Sequence, residues 1–468
     1  MTIRGLLQDT AGLAAAYLDG LQERPAGWIA DVDELRSSLD GPLPETPADP
    51  SQVISDLAAA VEPGLVASPG GRYFGFVIGG SSPAALAADW LTSTWDQNAG
   101  LYVCGPSAAV AEEVAGSWTA ELLGLPVGTS FGFVTGCQMA HVTALAAARH
   151  SVFARVGWDV NEHGLIGAPA VRVLASAERH ATVDRALRFL GFGAACIVPV
   201  ATDEQGRMVP DALSEAVARG DGPMIVCAQA GNVNTGSFDP LDEIADIAQE
   251  AGAWLHVDGA FGLWAAVSPA LRHLVAGADR ADSWATDAHK WLNVPYDSGI
   301  ALCAHPEAHR AAMSVRAGYL VQSDPGGPRD QLDWNPEFSR RARGFAVYAA
   351  IRSLGRSGIS ELVERCCSHA RRFGVELGAA PDIEVLNDVV LNQVLVRFLD
   401  PAGDHDARTR AVIQAVQDDG TCWLSGTTWH GVSAMRISVS SWATTSDDVE
   451  RSIEAILRAA RDARVAAR

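Results

Sequence analysis

A chain of 468 residues is long enough for about three domain-sized units, or for one large α/β unit with smaller pieces attached. Its 48% hydrophobic and 19% charged residues exclude a disordered protein, and its net charge of −21 argues against nonspecific binding to nucleic acid or an anionic membrane surface. The eight cysteines form no C-x-x-C pair and no histidine joins them at zinc-ligand spacing, so they read as reduced residues of a cytoplasmic protein without a metal site.

The start, Met1 to Leu7, lacks the basic-then-apolar shape of a signal peptide, and no apolar run approaches the roughly 18–20 residues of a membrane span. Residues 1–64 read as a helical segment. The spacing of Leu6, Leu7, Leu13, Ala14, Tyr17 and Leu18 predicts an amphipathic helix, and residues 41–47 form a proline-rich link. Such a stripe has to pack on something else, for example a second subunit. The aromatic, glycine-rich run 71–80 follows. Next come a helix over 90–101, a break at Gly105-Pro106 and a second helix over 107–123. In the run 131–141 a short strand turns through Gly136 and opens a helix that reaches about Phe153. The unpaired amides and dipole of such a start make it an anion site.

Strands over 171–176, 196–200 and 224–228 then alternate with helices. The apolar run Trp254 to Val257 is a buried strand ending on Asp258, and a second strand, 283–286, ends in Asp287-Ala288-His289-Lys290-Trp291. This alternation predicts an α/β large domain over 65–340, built on a mainly parallel sheet with right-handed crossovers. A polar helix over 306–315 precedes a loop, 317–330, rich in Gly, Pro and Asp. Loops of that length inside compact domains are functional or disordered. A long helix begins near Ser339 and runs toward Gly355. A smaller α+β domain over 341–468 contains strands at 383–386, 393–398 and 434–439 and a charged terminal helix over 447–468.

Ligands on open α/β sheets bind at the carboxyl ends of the strands. Asp258 and Lys290 each stand at such an end. A carboxylate and an amine so placed are what pyridoxal phosphate chemistry requires: the amine forms a Schiff base, and the carboxylate keeps the pyridine nitrogen protonated so that the ring accepts electrons.

The runs H-V-D-G-A at 256–260 and H-K-W at 289–291, with the Tyr319-Leu320 pair 29 residues beyond Lys290, resemble the group II pyridoxal-dependent amino acid decarboxylases, the aromatic-L-amino-acid decarboxylases in particular, over about residues 60–460. The resemblance implies the fold of the type I pyridoxal enzymes, pyridoxal 5′-phosphate as cofactor, and a homodimer with shared active sites. It implies that His180 stacks on the cofactor ring and that Gly136, Thr135, Cys137 and Gln138 surround the phosphate, with the amides of Cys137 and Gln138 as donors. Ala260, Asp287 and His289 join the cofactor set, and Asn232 faces the phenolic oxygen. Arg436 binds the α-carboxylate, since an arginine forks onto a carboxylate. Phe76, Val77 and Tyr102 are candidates for the substrate side-chain wall. Tyr319, on a mobile loop closing over the neighbouring subunit's site, delivers the proton to the substrate's Cα. One departure stands out: where the family shows G-G-S-E-A-N, residues 136–141 read G-C-Q-M-A-H, which preserves amide binding and puts the side-chain contribution to phosphate binding in doubt.

The activity expected is decarboxylation of an L-amino acid to its amine and carbon dioxide. The Asp–Lys–His core by itself leaves an aldehyde synthase, an aldolase, an aminotransferase or a non-catalytic protein open. Phe76, Trp95 and Tyr102 hint at an aromatic substrate.

Overall fold

The computed structural model describes residues 2–324 and 326–466. Pro325, in the expected loop, and residues 467 and 468, at the end of the expected terminal helix, lie outside them. Seven strands make the large sheet: β1 (Ser130–Val134), β2 (Arg172–Ser176), β3 (Ile197–Val200), β4 (Met224–Gln229), β5 (Trp254–Asp258), β6 (Ser283–Asp287) and β7 (Gly299–Cys303). Their order is β1-β7-β6-β5-β4-β2-β3. Every residue of β1 and of β4 to β7 is buried, which is why these strands read as continuous apolar runs and not as an alternation.

Strands β2 to β6 pair in parallel, as the βα alternation predicts, while β7 runs antiparallel to both β1 and β6. The reason is the connection. A parallel return needs a crossover of about a dozen residues or more, usually a helix. The link from Asp287 to Gly299 is instead taken up by the lysine turn, with no helix of its own.

Two helix boundaries differ from expectation. The helix expected over 90–101 spans Pro83–Trp95, because Pro83 opens it and Asp96 ends it in the left-handed region at φ 49°. The helix expected to stop near Gly355 breaks there, at φ 63° and ψ 175°, and resumes to Gly378.

The C-terminal sheet is wholly antiparallel. Its strands are β8 (Ile383–Val385), β9 (Gln393–Phe398), β10 (Ser425–Trp429) and β11 (Val432–Ser438), in the order β10-β11-β9-β8. The unexpected strand, β10, pairs with β11 across His430 and Gly431, both at positive φ, as a tight two-residue hairpin demands. His-Gly is an uncommon pair for that turn, so it left no clear sequence signal.

Residues 72–74, placed by the sequence in the large unit, hydrogen-bond to this smaller sheet. The Trp423 amide donates to the Arg72 carbonyl, the Phe74 amide to that of Trp423, and the Ser438 amide to that of Phe74. The run 71–80 therefore ties the two sheets together. Among the described residues no helix is long and apolar enough to cross a membrane.

Candidate active site

The carboxyl ends of β4, β5 and β6 open into a cavity of about 260 Å³, and at its rim lies the turn between β1 and the helix Cys137–Ala154. Asp258, His180 and Lys290 all face this space, together with Gly136, Cys137, Gln138, Ala260, Asp287 and His289. The sequence expectation of an acid and an amine at one pocket is thus met in the geometry.

Asp258 closes β5. Its Oδ1 accepts the Ala260 amide at 3.1 Å, and its Oδ2 stands 3.4 Å from Nε2 of His141. Burial opposes ionisation of this carboxyl. His141, His180 and Lys290 outweigh it and hold Asp258 well below the usual carboxylate range. An ionised carboxylate in a shielded pocket is the partner a protonated ring nitrogen requires.

Lys290 lies on the turn after β6, its Nζ 3.0 Å from Oδ2 of Asp287. Burial disfavours the ammonium, but Asp287 and its neighbours raise the pKa above the ordinary lysine value. The other oxygen of Asp287 accepts the Cys137 amide at 2.6 Å and lies 3.4 Å from Nε2 of His289. Asp287 is therefore the hub that holds the lysine turn to the helix start. From below, Gly79 supports the same turn: its amide donates to the His289 carbonyl, and a Cβ there would lie 1.8 Å from the Lys290 carbonyl oxygen.

His180 caps the helix Ala181–Phe189. Its Nδ1 meets the Thr182 hydroxyl at 2.8 Å and accepts the Thr182 amide at 3.3 Å. Its ring faces the cavity, and desolvation lowers its pKa despite the pull of Asp258, so the ring is neutral near pH 7.

The phosphate expectation changes in one respect. The Cys137 amide is taken by Asp287, which leaves the Gln138 amide as the free donor of the pair among the described residues. The Gln138 side chain adds a buried Oε1 that has no partner. Near Gly136 a side chain would press on His289, at 3.1 Å from its Cε1, so the cradle is shaped for backbone. A charged carboxylate, an amine, a flat neutral ring and a free amide around one cavity fit a pyridoxal phosphate.

Other expected residues are placed differently. Asn232 is not among the residues lining the cavity: its Nδ2 donates to the Glu178 carbonyl and its Oδ1 accepts the amides of Asn234 and Thr235. Thr135 is not among the residues lining the cavity. Arg436, on β11, is not among the lining residues and donates to the carbonyl of Val233, which is. Its guanidinium is buried, its Nε has no partner, and among the described residues no carboxylate neutralises it; burial alone lowers its pKa. Phe76, Val77 and Tyr102 do not line the cavity. Phe76 is 54% exposed and stacks on Trp423, Val77 is buried in the core, and the Tyr102 amide binds Asp330. Tyr319 is 79% exposed on the surface of its own chain.

Sequence reasoning missed Thr182, Gln229 and Phe261 as cavity residues, and His141 as the neighbour of Asp258. Gln229 was accessible from the strand-end rule, since it closes β4. One stronger signal went unused: Lys290 is the single lysine of the whole chain.

The profile of the pyridoxal-dependent decarboxylase conserved domain matches residues 33–399. The chain is 29% identical over 403 residues to the aromatic-L-amino-acid decarboxylase of Bacillus atrophaeus, covering 85% of this chain and 82% of that one. It is 27% identical over 474 residues to tryptophan decarboxylase 1 of Oryza sativa subsp. japonica, covering 94% and 90%. Among solved structures, Oryza sativa TDC with PLP and tryptamine superimposes with a TM-score of 0.92 at 24% identity over 98% of both chains, and mouse CSAD with 0.89 at 23% identity over the same shares.

Proposed function

The chain belongs to the pyridoxal-dependent decarboxylase family and is an amino acid decarboxylase that uses pyridoxal 5′-phosphate; on that footing we propose that its substrate is an L-amino acid with an aromatic side chain, handled by Lys290, Asp258, His180, Arg436 and Tyr319. The observation that carries the residue assignment is the single cavity onto which the ionised Asp258 and the chain's only lysine both face.

Bound pyridoxal 5′-phosphate supplies the electron-withdrawing ring that takes up the electrons of the breaking Cα–carboxylate bond. Lys290 is the point of covalent attachment, and Asp258 keeps the positive charge on the ring nitrogen. The His180 ring would cover a face of the cofactor ring, and the Gln138 amide would hold its phosphate. Arg436 binds and orients the α-carboxylate; its buried, unneutralised charge supports this, since such a cation stays costly until an anion arrives. Tyr319 gives its proton to the substrate Cα once carbon dioxide has left.

Support for the aromatic side chain comes from the relatives named for aromatic substrates, the aromatic-L-amino-acid decarboxylase of Bacillus atrophaeus and tryptophan decarboxylase 1 of Oryza sativa. Two exposed features favour a homodimer. The helix Ile3–Asp19 buries none of its residues and exposes Ile3, Leu7, Leu13 and Leu18, and Tyr319 is exposed on the surface of its own chain. The partner subunit's site is where such a residue would act. Eight unpaired cysteines favour the cytoplasm, and we read three units, 1–64, 65–340 and 341–468.

The test is borohydride reduction of the purified yellow protein followed by peptide mapping, with a panel of amino acids assayed for amine release. A pyridoxyl adduct on Lys290 and amine formation from aromatic substrates are expected. An adduct absent from Lys290 refutes the residue assignment, and amine formation confined to acidic substrates refutes the aromatic assignment.

A further inference from the structure

Behind Asp258, away from the cavity, lies a row of buried polar groups that the reaction as described above does not use. His141, on the helix Cys137–Ala154, sets its Nδ1 2.9 Å from Nε2 of His256 on β5. Nδ1 of His256 is 2.9 Å from Oγ of Ser283 on β6, and the same Oγ receives the indole N–H of Trp254 at 2.9 Å. His141, His256, Ser283 and Trp254 are all completely buried. Heavy atoms alone do not give the direction of the bonds. The chemistry at the two ends does.

Trp254 has a donor and no acceptor, so Ser283 accepts there and keeps its own hydrogen to give. At the other end Asp258 is an ionised acceptor. If His141 carried its proton on Nδ1, the bare Nε2 would set a lone pair against that carboxylate. With the proton on Nε2, Nδ1 must accept, so His256 donates from Nε2 and in turn accepts from Ser283 on Nδ1. Every group in the row is then satisfied and every hydrogen points toward Asp258. His256 suits this neutral role, since burial, with His141 beside it, pushes its pKa down to about 3. Cys137 is the one rival neighbour of the His141 Nε2, its Sγ at 3.6 Å, and its thiol is kept protonated by burial, Asp287 and Asp258. The 3.4 Å separation of His141 Nε2 and Asp258 Oδ2 is at the long end of hydrogen-bond range.

We propose that Trp254, Ser283, His256 and His141 form a one-directional donor row that fixes the tautomer of His141, so that His141 presents Nε2–H to Asp258 and holds its carboxylate, oriented and ionised, toward the cofactor ring nitrogen. These are positioning residues; they act through Asp258 and do not touch the substrate. The inference rests on the assignment of Asp258 to the ring nitrogen. The same arrangement, a histidine oriented by the partner behind it, is how second-layer groups set the tautomer of ligating histidines.

Neutron diffraction from crystals of the deuterated full-length holoenzyme reads the proton positions directly, without any substitution. Deuterium on Nε2 of both histidines, and on the Ser283 oxygen toward Nδ1 of His256, is the expected result. Deuterium on Nδ1 of either histidine overturns the proposal. The ring nitrogen seen in the same density away from Asp258 would instead overturn the assignment on which the row depends. In a second arm, Ser283→Ala lowers kcat on the order of 10–100-fold, the range for loss of a second-layer partner, with KM unchanged and an altered absorption band of the bound cofactor. An unchanged kcat and absorption band in a folded Ser283→Ala enzyme also overturns it.

Discussion

Oδ1 of Asp287 accepts the Cys137 amide at 2.6 Å while its Oδ2 lies 3.0 Å from Nζ of Lys290. One carboxylate thus controls both the charge of the attachment amine and the first donor of the neighbouring helix. Removing its charge takes away the main influence that raises the Lys290 pKa against burial. Attachment of the cofactor aldehyde needs the free amine. In Asp287→Asn the pH midpoint of cofactor loading, followed by the absorbance of reconstituted protein, is expected to move down. A midpoint that stays put or moves up contradicts this account of the pair.

Arg436 is buried with no carboxylate beside it among the described residues. Its truncation to Ala removes the partner for the α-carboxylate and should weaken substrate binding by about 2–5 kcal/mol, the cost of breaking a buried charge pair. Arg436→Lys keeps the charge but not the fork, and falls between. Initial-rate kinetics with the best amino acid of the panel measure this as KM. An unchanged KM in Arg436→Ala removes the residue from the substrate site.

Tyr319 stands on the surface, far more open than the other proposed site residues. Tyr319→Phe keeps the ring and deletes the proton it is proposed to give to Cα. Amine formation is expected to fall by about 100-fold or more, the lower end of the range for a general acid. Product analysis by chromatography decides it. Full amine yield in the Phe variant assigns the proton to another group.

Gly79 lies directly under the lysine turn, where an added Cβ would meet the Lys290 carbonyl oxygen at 1.8 Å. That contact is with backbone and cannot be relieved by a side-chain rotation. Gly79→Ala should cost more than the ~1–3 kcal/mol of ordinary overpacking. A lower melting temperature and substoichiometric cofactor after purification are the readouts.

Two buried histidines bear on acid stability. Burial, reinforced by His141 for His256 and by Arg329 for His309, holds each at a pKa of about 3. Their unfolded value is about 6.5. Between those limits the unfolded chain binds more protons than the folded one, so stability rises with pH and is lost as pH falls from about 6.5 toward 3. His309 bridges the Ser130 hydroxyl and the Trp334 carbonyl and lies outside the cavity, so it isolates the effect. His309→Gln should flatten the pH dependence of the urea midpoint below pH 6.5; an identical slope excludes His309 as a contributor.

Much of this was readable in advance for a definite reason. A fully buried parallel strand leaves an unbroken apolar run, and the residue that ends the run is the one at the sheet's ligand edge. That is why Asp258, and Lys290 three residues beyond Asp287 at the end of β6, were visible as a pair without any structure. Local sequence also placed the helix start just after Gly136, whereas the capping role of His180 came from the structure.

What sequence could not supply is what arrives from distant parts of the chain. The bond from Asn232 to the Glu178 carbonyl, the capture of the Cys137 amide by Asp287 and the row from Trp254 through His256 to His141 join residues between 27 and 150 positions apart. The isolation of Arg436 from every described carboxylate depends likewise on the packing of one sheet beside another. Residue type and periodicity are local properties, so they determined the strands and the chemistry at their tips. Which donor meets which acceptor is settled only when the tertiary fold excludes water and forces each buried polar group to find a partner.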